Sequence, residues 1–193
     1  MISVKAATVV THVFNPAIVA AFAFSILLYP RNNASPLFLG VPLTFGTFIP
    51  LAMMYLLSKR GLISDFFVSE KKERALPFAG AILSYLMGSL MLWSMRAPPI
   101  VTALMLCYAG NTLVMMPITR RWKISVHASG IAGPTTVLIE SLGIWASIFF
   151  ALLIPVAWAR IRLKAHTPMQ MVAGVLVTIV VTWLQLRIYL AVL

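Results

Sequence analysis

The sequence predicts an all-α protein, a polytopic transmembrane bundle of six to seven helices. Three observations carry that prediction. Of the 193 residues, 61% are hydrophobic and only 10% are charged, whereas a soluble domain carries about 25% charged residues. Mean hydropathy is +0.98, so lipid rather than water suits most of this surface. Apolar windows of about 20 residues recur, the length a helix needs to cross a bilayer. Lipid admits only helices or closed barrels, and continuous rather than alternating apolar runs select helices.

Seven apolar segments follow in order: 5–29, 37–58, 77–95, 98–118, 125–142, 143–159 and 168–192. The first is too long for the apolar core of a cleaved signal, and no small-residue cleavage site stands out. Prolines mark several ends: Pro30, Pro77, Pro98 with Pro99, Pro117 and Pro168. Pro134 falls inside the fifth segment and is expected to kink it or delay its regular start. The fifth and sixth segments are short for full spans. They meet at Ser141-Leu142-Gly143, which predicts a tight helical hairpin. Gly130 and Gly133 suit close helix packing, the single Cys107 suits a core position, and His12 is expected to pack or hydrogen-bond within the bundle. No repeat, low-complexity tract or linker divides the chain, so residues 1–193 read as one integral-membrane domain.

The charges sort by side. Fifteen Lys and Arg face four acids, Asp65, Glu70, Glu73 and Glu140, for a net charge of +11. The N-terminus and loops 59–76, 119–124 and 160–167 share one face. That face collects twelve cations: Lys5, Lys59, Arg60, Lys71, Lys72, Arg74, Arg120, Arg121, Lys123, Arg160, Arg162 and Lys164. The opposite face keeps three, Arg31, Arg96 and Arg187. The positive-inside rule places the richer face in the cytoplasm, and the expected location is the inner (plasma) membrane of a prokaryote. Nucleic acid is excluded as a partner, because no soluble module carries a basic reading surface. The charge instead marks cytoplasmic loops, anionic lipid or an anionic substrate.

Three polar clusters share the cation-rich face: SDFFVSEKKERALPF from Ser64 to Phe78, WKISVHASG from Trp122 to Gly130, and ARIRLKAHTPMQMVAG from Ala159 to Gly174. Each borders a helix end, where free N–H groups and the positive dipole end suit an anion. Together they hold His127, His166, Ser125 and several guanidinium and ammonium groups. Phosphoryl transfer is mostly positioning and neutralisation of charge on phosphoryl oxygens, which planar arginine forks do well. A neutral histidine can attack phosphorus, and a second, protonated one can donate to the leaving oxygen. The acids are few and show no ligand spacing, so neither a metal nor a cofactor is expected.

The second and third clusters resemble the type 2 phosphatidic acid phosphatase family, membrane lipid phosphatases related to vanadium haloperoxidases. The family's Pro-Ser-Gly-His motif corresponds to Ile124-Ser125-Val126-His127, followed by Ala128. Its Ser-Arg, five residues, His, three residues, Asp motif corresponds to Ala159-Arg160, five residues, His166, with Gln170 at the Asp position. Its first motif, Lys, six residues, Arg-Pro, is the weakest match. Arg74 is the natural arginine, Pro77 comes three residues later, and Phe67 stands where the lysine should be. Lys71 or Lys72, from another register, or Lys123 are candidates to replace that lysine. The resemblance covers roughly residues 60 to 175.

The resemblance implies that His166 is a nucleophile forming a phosphohistidine, and that His127 is the acid for the leaving group and then the base for water. It implies that Ser125 and Arg160 hold phosphate oxygens, with Arg74, Lys72 and Lys123 as further phosphate-binding candidates. Gln170 can orient the His166 ring by hydrogen bonding but brings no charge. Asp65 or Glu73 is therefore expected to supply the missing carboxylate. Glu140 is excluded, since thirteen residues of helix from His127 span roughly 20 Å. The expected activity is metal-independent hydrolysis of a lipid phosphate or diphosphate, isoprenoid or glycerolipid, whose tail enters between helices from the bilayer. The rivals are a non-catalytic membrane protein that binds or transports anionic lipid, and a lipid phosphotransferase that uses an acceptor other than water.

Overall fold

The computed structural model describes residues 2–29, 36–68 and 70–193. Pro30 and Arg31, both used above, and Ser69 lie outside the described residues. Among the described residues every regular element is helical. Five stretches are long and apolar enough to cross a membrane: Leu37–Lys59, Lys71–Ser94, Pro99–Arg121, Ile144–Arg162 and Pro168–Val192. The count is six if the bent pair formed by the first two helices is one span. The chain is therefore an all-α integral membrane protein, as its composition requires.

Helices α1 (Ile2–Val13) and α2 (Pro16–Leu28) divide what the sequence presents as one segment, and they meet at 48°. The cause is the pair Asn15-Pro16. A residue before proline is pushed out of the helical region, and Asn15 sits at φ −59°, ψ 134°. Its side chain then caps α2, accepting from the Ala17 N–H at 3.0 Å, with Pro16 in the first turn. Helix α3 (Leu37–Pro42) runs through a π-helical turn at Leu43–Phe48 into α4 (Ile49–Lys59). A 3-10 turn, Lys71–Arg74, leads into α5 (Ala75–Ser94), and α6 spans Pro99–Arg121.

Pro117 does not end its helix. It lies inside α6, which continues to Arg121 and closes with Trp122 N–H on the Ile118 carbonyl at 2.8 Å. Proline deletes one backbone donor and leaves later turns intact, and neighbouring helices accommodate such residues in membranes. Arg120 and Arg121 thus occupy the last helical turn, where cations complement the helix dipole. Pro134 likewise sits within α7 (Val126–Leu142), which starts regularly at its Ser125 cap with no delay. Gly143, at φ +88°, turns the chain into a 3-10 stretch (Ile144–Leu152) and α8 (Leu153–Arg162). This is the expected hairpin, one turn longer than its apolar run. Helix α9 spans Pro168–Val192.

Helix α7 occupies the centre, packed by α2, α6, α9 and its own 3-10 partner. Its buried face is rich in small residues: Ala128, Ser129, Gly130, Ala132 and Gly133. A Cβ on Gly130 would meet Pro16 at 2.8 Å, so α2 and α7 touch backbone to ring. Asn111 of α6 donates from Nδ2 to Thr182 Oγ1 of α9 at 2.8 Å, the interhelical polar contact that substitutes for hydrophobic drive inside lipid. Cys107 is buried in this core. Glu140 pairs with Arg187 at 3.1 Å, linking α7 and α9 at the end remote from the histidines.

At the α7–α9 junction backbone meets backbone. The Ser125 N–H donates to the Gln170 carbonyl at 3.1 Å, and Ser129 Oγ lies 3.0 Å from the Gly174 carbonyl. A Cβ at Gly174 would stand 2.7 Å from the Ser125 carbonyl oxygen, so only glycine fits. Gly174→Ala is expected to destabilise the protein by about 1–3 kcal/mol, the range for forced overpacking. Thermal unfolding in detergent measures this; an unchanged midpoint would contradict the junction.

Candidate functional site

The starts of α2, α5 and α7, the end of α8 and two loops, carrying Phe67 and His166, converge on a cavity of about 130 Å³. Arg74, Arg160, His127 and His166 all line it, and each is at most 6% exposed. Among the described residues its wall contains two guanidinium groups and no carboxylate. The remainder is largely apolar: Pro50, Leu51 and Met54 of α4 with Pro77, Phe78 and Ala81 of α5. Tyr85, deeper on α5, also lines it. The cavity is cationic at one end and greasy at the other.

Each polar side chain is delivered by a local device. His166 follows a turn in which Lys164 takes φ +53°, and the N–H groups of Ala165 and His166 both point at the Arg160 carbonyl, at 2.9 and 3.4 Å. This folds His166 back beside Arg160. Thr167 then starts α9 with a capping box, its hydroxyl accepting from the Gln170 N–H while Gln170 Oε1 accepts from the Thr167 N–H at 3.1 Å. Because Thr167 N–H is a donor, the amide end facing it is oxygen. The same Oε1 lies 3.3 Å from His166 Nδ1, and the Lys123 carbonyl lies 3.2 Å from it. Two acceptors on Nδ1 make that nitrogen the protonated one, and the lone pair is left on Nε2.

Burial first, then the Arg160, Arg74 and Lys123 charges, push His166 down to about 4. The ring is therefore neutral across the physiological range. Lys123 is lowered by burial and by Arg74 and Arg160. It offers its carbonyl to His166 Nδ1, and its side chain is not part of the cavity wall.

His127 occupies the first turn of α7. A backbone hydrogen bond to Thr11 engages its ring from α1, while its Nε2 is buried with no partner. Arg160 is likewise buried with an unpartnered Nε and stands 5.7 Å from the Phe67 ring centre. Arg74 is held rigidly: Nε donates to the Val68 carbonyl at 3.1 Å, and Nη1 to Thr119 Oγ1 at 2.9 Å and the Ile124 carbonyl at 3.3 Å. Val68 reaches it only by adopting φ +49°, a costly conformation for a β-branched residue.

The site thus gathers His166, His127, Arg160, Arg74 and Gln170. Other expected members fall elsewhere. Ser125 is fully buried and caps α7, its Oγ accepting from the Ala128 N–H at 3.3 Å, outside the cavity wall. Lys72 is exposed on the 3-10 turn before α5, in a separate groove. Glu73 accepts from the Ser64 N–H and hydroxyl at 2.8 and 2.9 Å, closing loop 64–73 on itself. Asp65 accepts from the Phe67 N–H at 2.8 Å and acts electrostatically on Arg74, Arg160 and Lys123. Orientation of His166 falls to Gln170 and the Lys123 carbonyl. Among the described residues no three His, Cys, Asp or Glu side chains gather as a metal site.

Sequence reasoning missed Asn15, Pro16 and the Thr11 backbone, all brought to the site by the α1–α2 break. The signal was the Asn-Pro pair inside an otherwise helical run. Phe67, noted only for replacing a lysine, places its ring 5.9 Å from that of His127 and 4.7 Å from that of His12, tilted by 57° to each. His12 is exposed and packs on this loop rather than within the bundle. Titration of His166 by nitrogen-15 NMR is expected to show an Nδ1-protonated neutral ring that takes up its proton near pH 4. A midpoint near the ordinary 6.5 would contradict the geometry.

No protein-family model, curated protein or solved structure matches the chain.

Proposed function

We propose that the protein is a metal-independent lipid phosphatase that removes phosphate from a lipid phosphate or diphosphate through a phosphohistidine on His166. The observation that carries this reading is the pair of buried histidines set between two buried arginines in a cavity with an apolar far wall. Buried cations are costly unless an anion or hydrogen-bonding partner accompanies them. A phosphoryl group supplies both, and the α4–α5 wall offers the attached chain an apolar path. The motif resemblance at Arg74, His127, Arg160 and His166 supports the same reading.

In the first step His166 Nε2 attacks phosphorus. The bond to the lipid oxygen breaks. His127, an imidazolium in the bound complex because the substrate's negative charge offsets the two guanidinium groups, gives its Nε2 proton to that oxygen, so the lipid leaves as an alcohol or, from a diphosphate, as a monophosphate. The Arg160 and Arg74 guanidinium groups neutralise the equatorial oxygens. The Nδ1–H of His166, held by Lys123 O and Gln170 Oε1, disperses the positive charge that forms on the ring. In the second step His127, now neutral, takes a proton from water. The water oxygen bonds to phosphorus, the P–N bond breaks, and inorganic phosphate is released with both histidines restored. The twelve-to-three distribution of cations supports a cytoplasmic position for the cavity mouth in a prokaryotic inner membrane.

Purified protein in EDTA is expected to release inorganic phosphate from short-chain phosphatidic acid or farnesyl diphosphate, with inhibition by vanadate. His166→Ala should reduce turnover at least about 10³-fold, the scale seen for removed nucleophiles. Full activity in His166→Ala, or no hydrolysis across a lipid panel, would overturn the proposal. The second outcome would favour a lipid-binding protein.

A further inference from the structure

A second pocket lies on the outer side of Arg74. It is a groove of about 350 Å³ between the start of α5 and the end of α6. Lys71, Lys72 and Arg120 line its rim and all three are exposed. Ala75, Phe78 and Met116 form its apolar floor. Among the described residues no carboxylate lines it. Lys72, expected in the catalytic cavity, belongs here.

Three features define what fits. The rim cations sit on the first turn leading into α5 and the last turn of α6, at the same end of the bundle as the histidines. In a helix that crosses the bilayer, that is the headgroup level. The floor descends along α5 and α6 toward the hydrocarbon, so the occupant has a charged head and an apolar body. The groove is also separated from the catalytic cavity. Arg74 and Phe78 line both, and the Arg74–Thr119 hydrogen bond at 2.9 Å closes the partition between them. The occupant therefore stays on the outer face and does not pass through to the histidines.

We propose that this groove binds a non-substrate anionic phospholipid, its phosphodiester on Lys71, Lys72 and Arg120 and one acyl chain over Phe78 and Met116. Basic groups near a membrane surface attract acidic lipid individually. Three around one concave apolar floor convert that attraction into a site. Arg74 would then feel lipid charge from outside and substrate charge from inside, which ties the site's electrostatics to the surrounding leaflet.

The test reads binding and needs no catalytic activity. Native mass spectrometry of the purified full chain, titrated with dioleoylphosphatidylglycerol or dioleoylphosphatidylcholine, reports retained lipid. Phosphatidylglycerol carries no phosphomonoester, so it probes the groove rather than the catalytic reading. Wild type is expected to retain phosphatidylglycerol about tenfold more tightly than phosphatidylcholine. The double variant Lys72→Gln/Arg120→Gln should lose that preference. Lys59→Gln/Arg60→Gln, which removes two cations outside the groove on the same face, should keep it. Equal retention of the two lipids by wild type overturns the proposal without any variant. So does an unchanged preference in Lys72→Gln/Arg120→Gln, or an equal loss in the two double variants.

Discussion

The site depends on how closely α9 approaches the start of α7. Two hydrogen bonds, Ser125 N–H to Gln170 O and Ser129 Oγ to Gly174 O, set that approach, and the missing side chain at Gly174 permits it. His127 lies two residues after Ser125, and His166 four residues before Gln170. Once the junction is fixed, both rings border one cavity. The same contact aligns the Lys123 carbonyl with His166 Nδ1 and so decides which ring nitrogen carries the proton. Backbone geometry here sets the chemistry, with one amide side chain completing it.

Around this junction the protein buries positive charge against the preference of its solvent. Arg74 is bound by three backbone or hydroxyl oxygens, and Arg160 leans on Phe67 with Nε unpartnered. Neither is neutralised by a carboxylate in the cavity wall. Asp65 offsets part of the field from the loop. Such an arrangement favours an anion and depresses protonation of a nearby histidine, which keeps His166 neutral. The α4–α5 wall gives the same cavity an apolar side. Outside, the groove at Lys72 and Arg120 repeats the pairing of cations with an apolar floor.

Much of this was legible because lipid restricts the answers. Composition and run length alone require a helical bundle, and the short fifth and sixth runs with Gly143 require a hairpin. The four residues at the centre were legible as types: histidines and arginines at helix ends have few structural roles in an apolar chain. What could not be read was the direction each side chain takes. Ser125 satisfies its own helix terminus, accepting from the Ala128 N–H, and lies outside the cavity wall. Lys72, two residues from Arg74 on a tight 3-10 turn, points to the outside. Glu73 is consumed by Ser64. The α1–α2 break was masked by hydropathy, which Asn15 and Pro16 barely perturb, although both carry helix-stop chemistry.

The central claim is that His166 Nε2 bonds covalently to phosphorus. Rapid acid-free quenching of the protein with a lipid phosphate, followed by intact-mass and peptide mass spectrometry, tests it directly. The account predicts a phosphoryl group on the peptide containing His166, stable to base and labile to acid. With a lipid diphosphate, whose monophosphate leaving group needs no acid, the adduct is more abundant in His127→Ala, where the water step lacks its base. Turnover with no phosphoryl adduct in either protein, or an adduct on another residue, would contradict it.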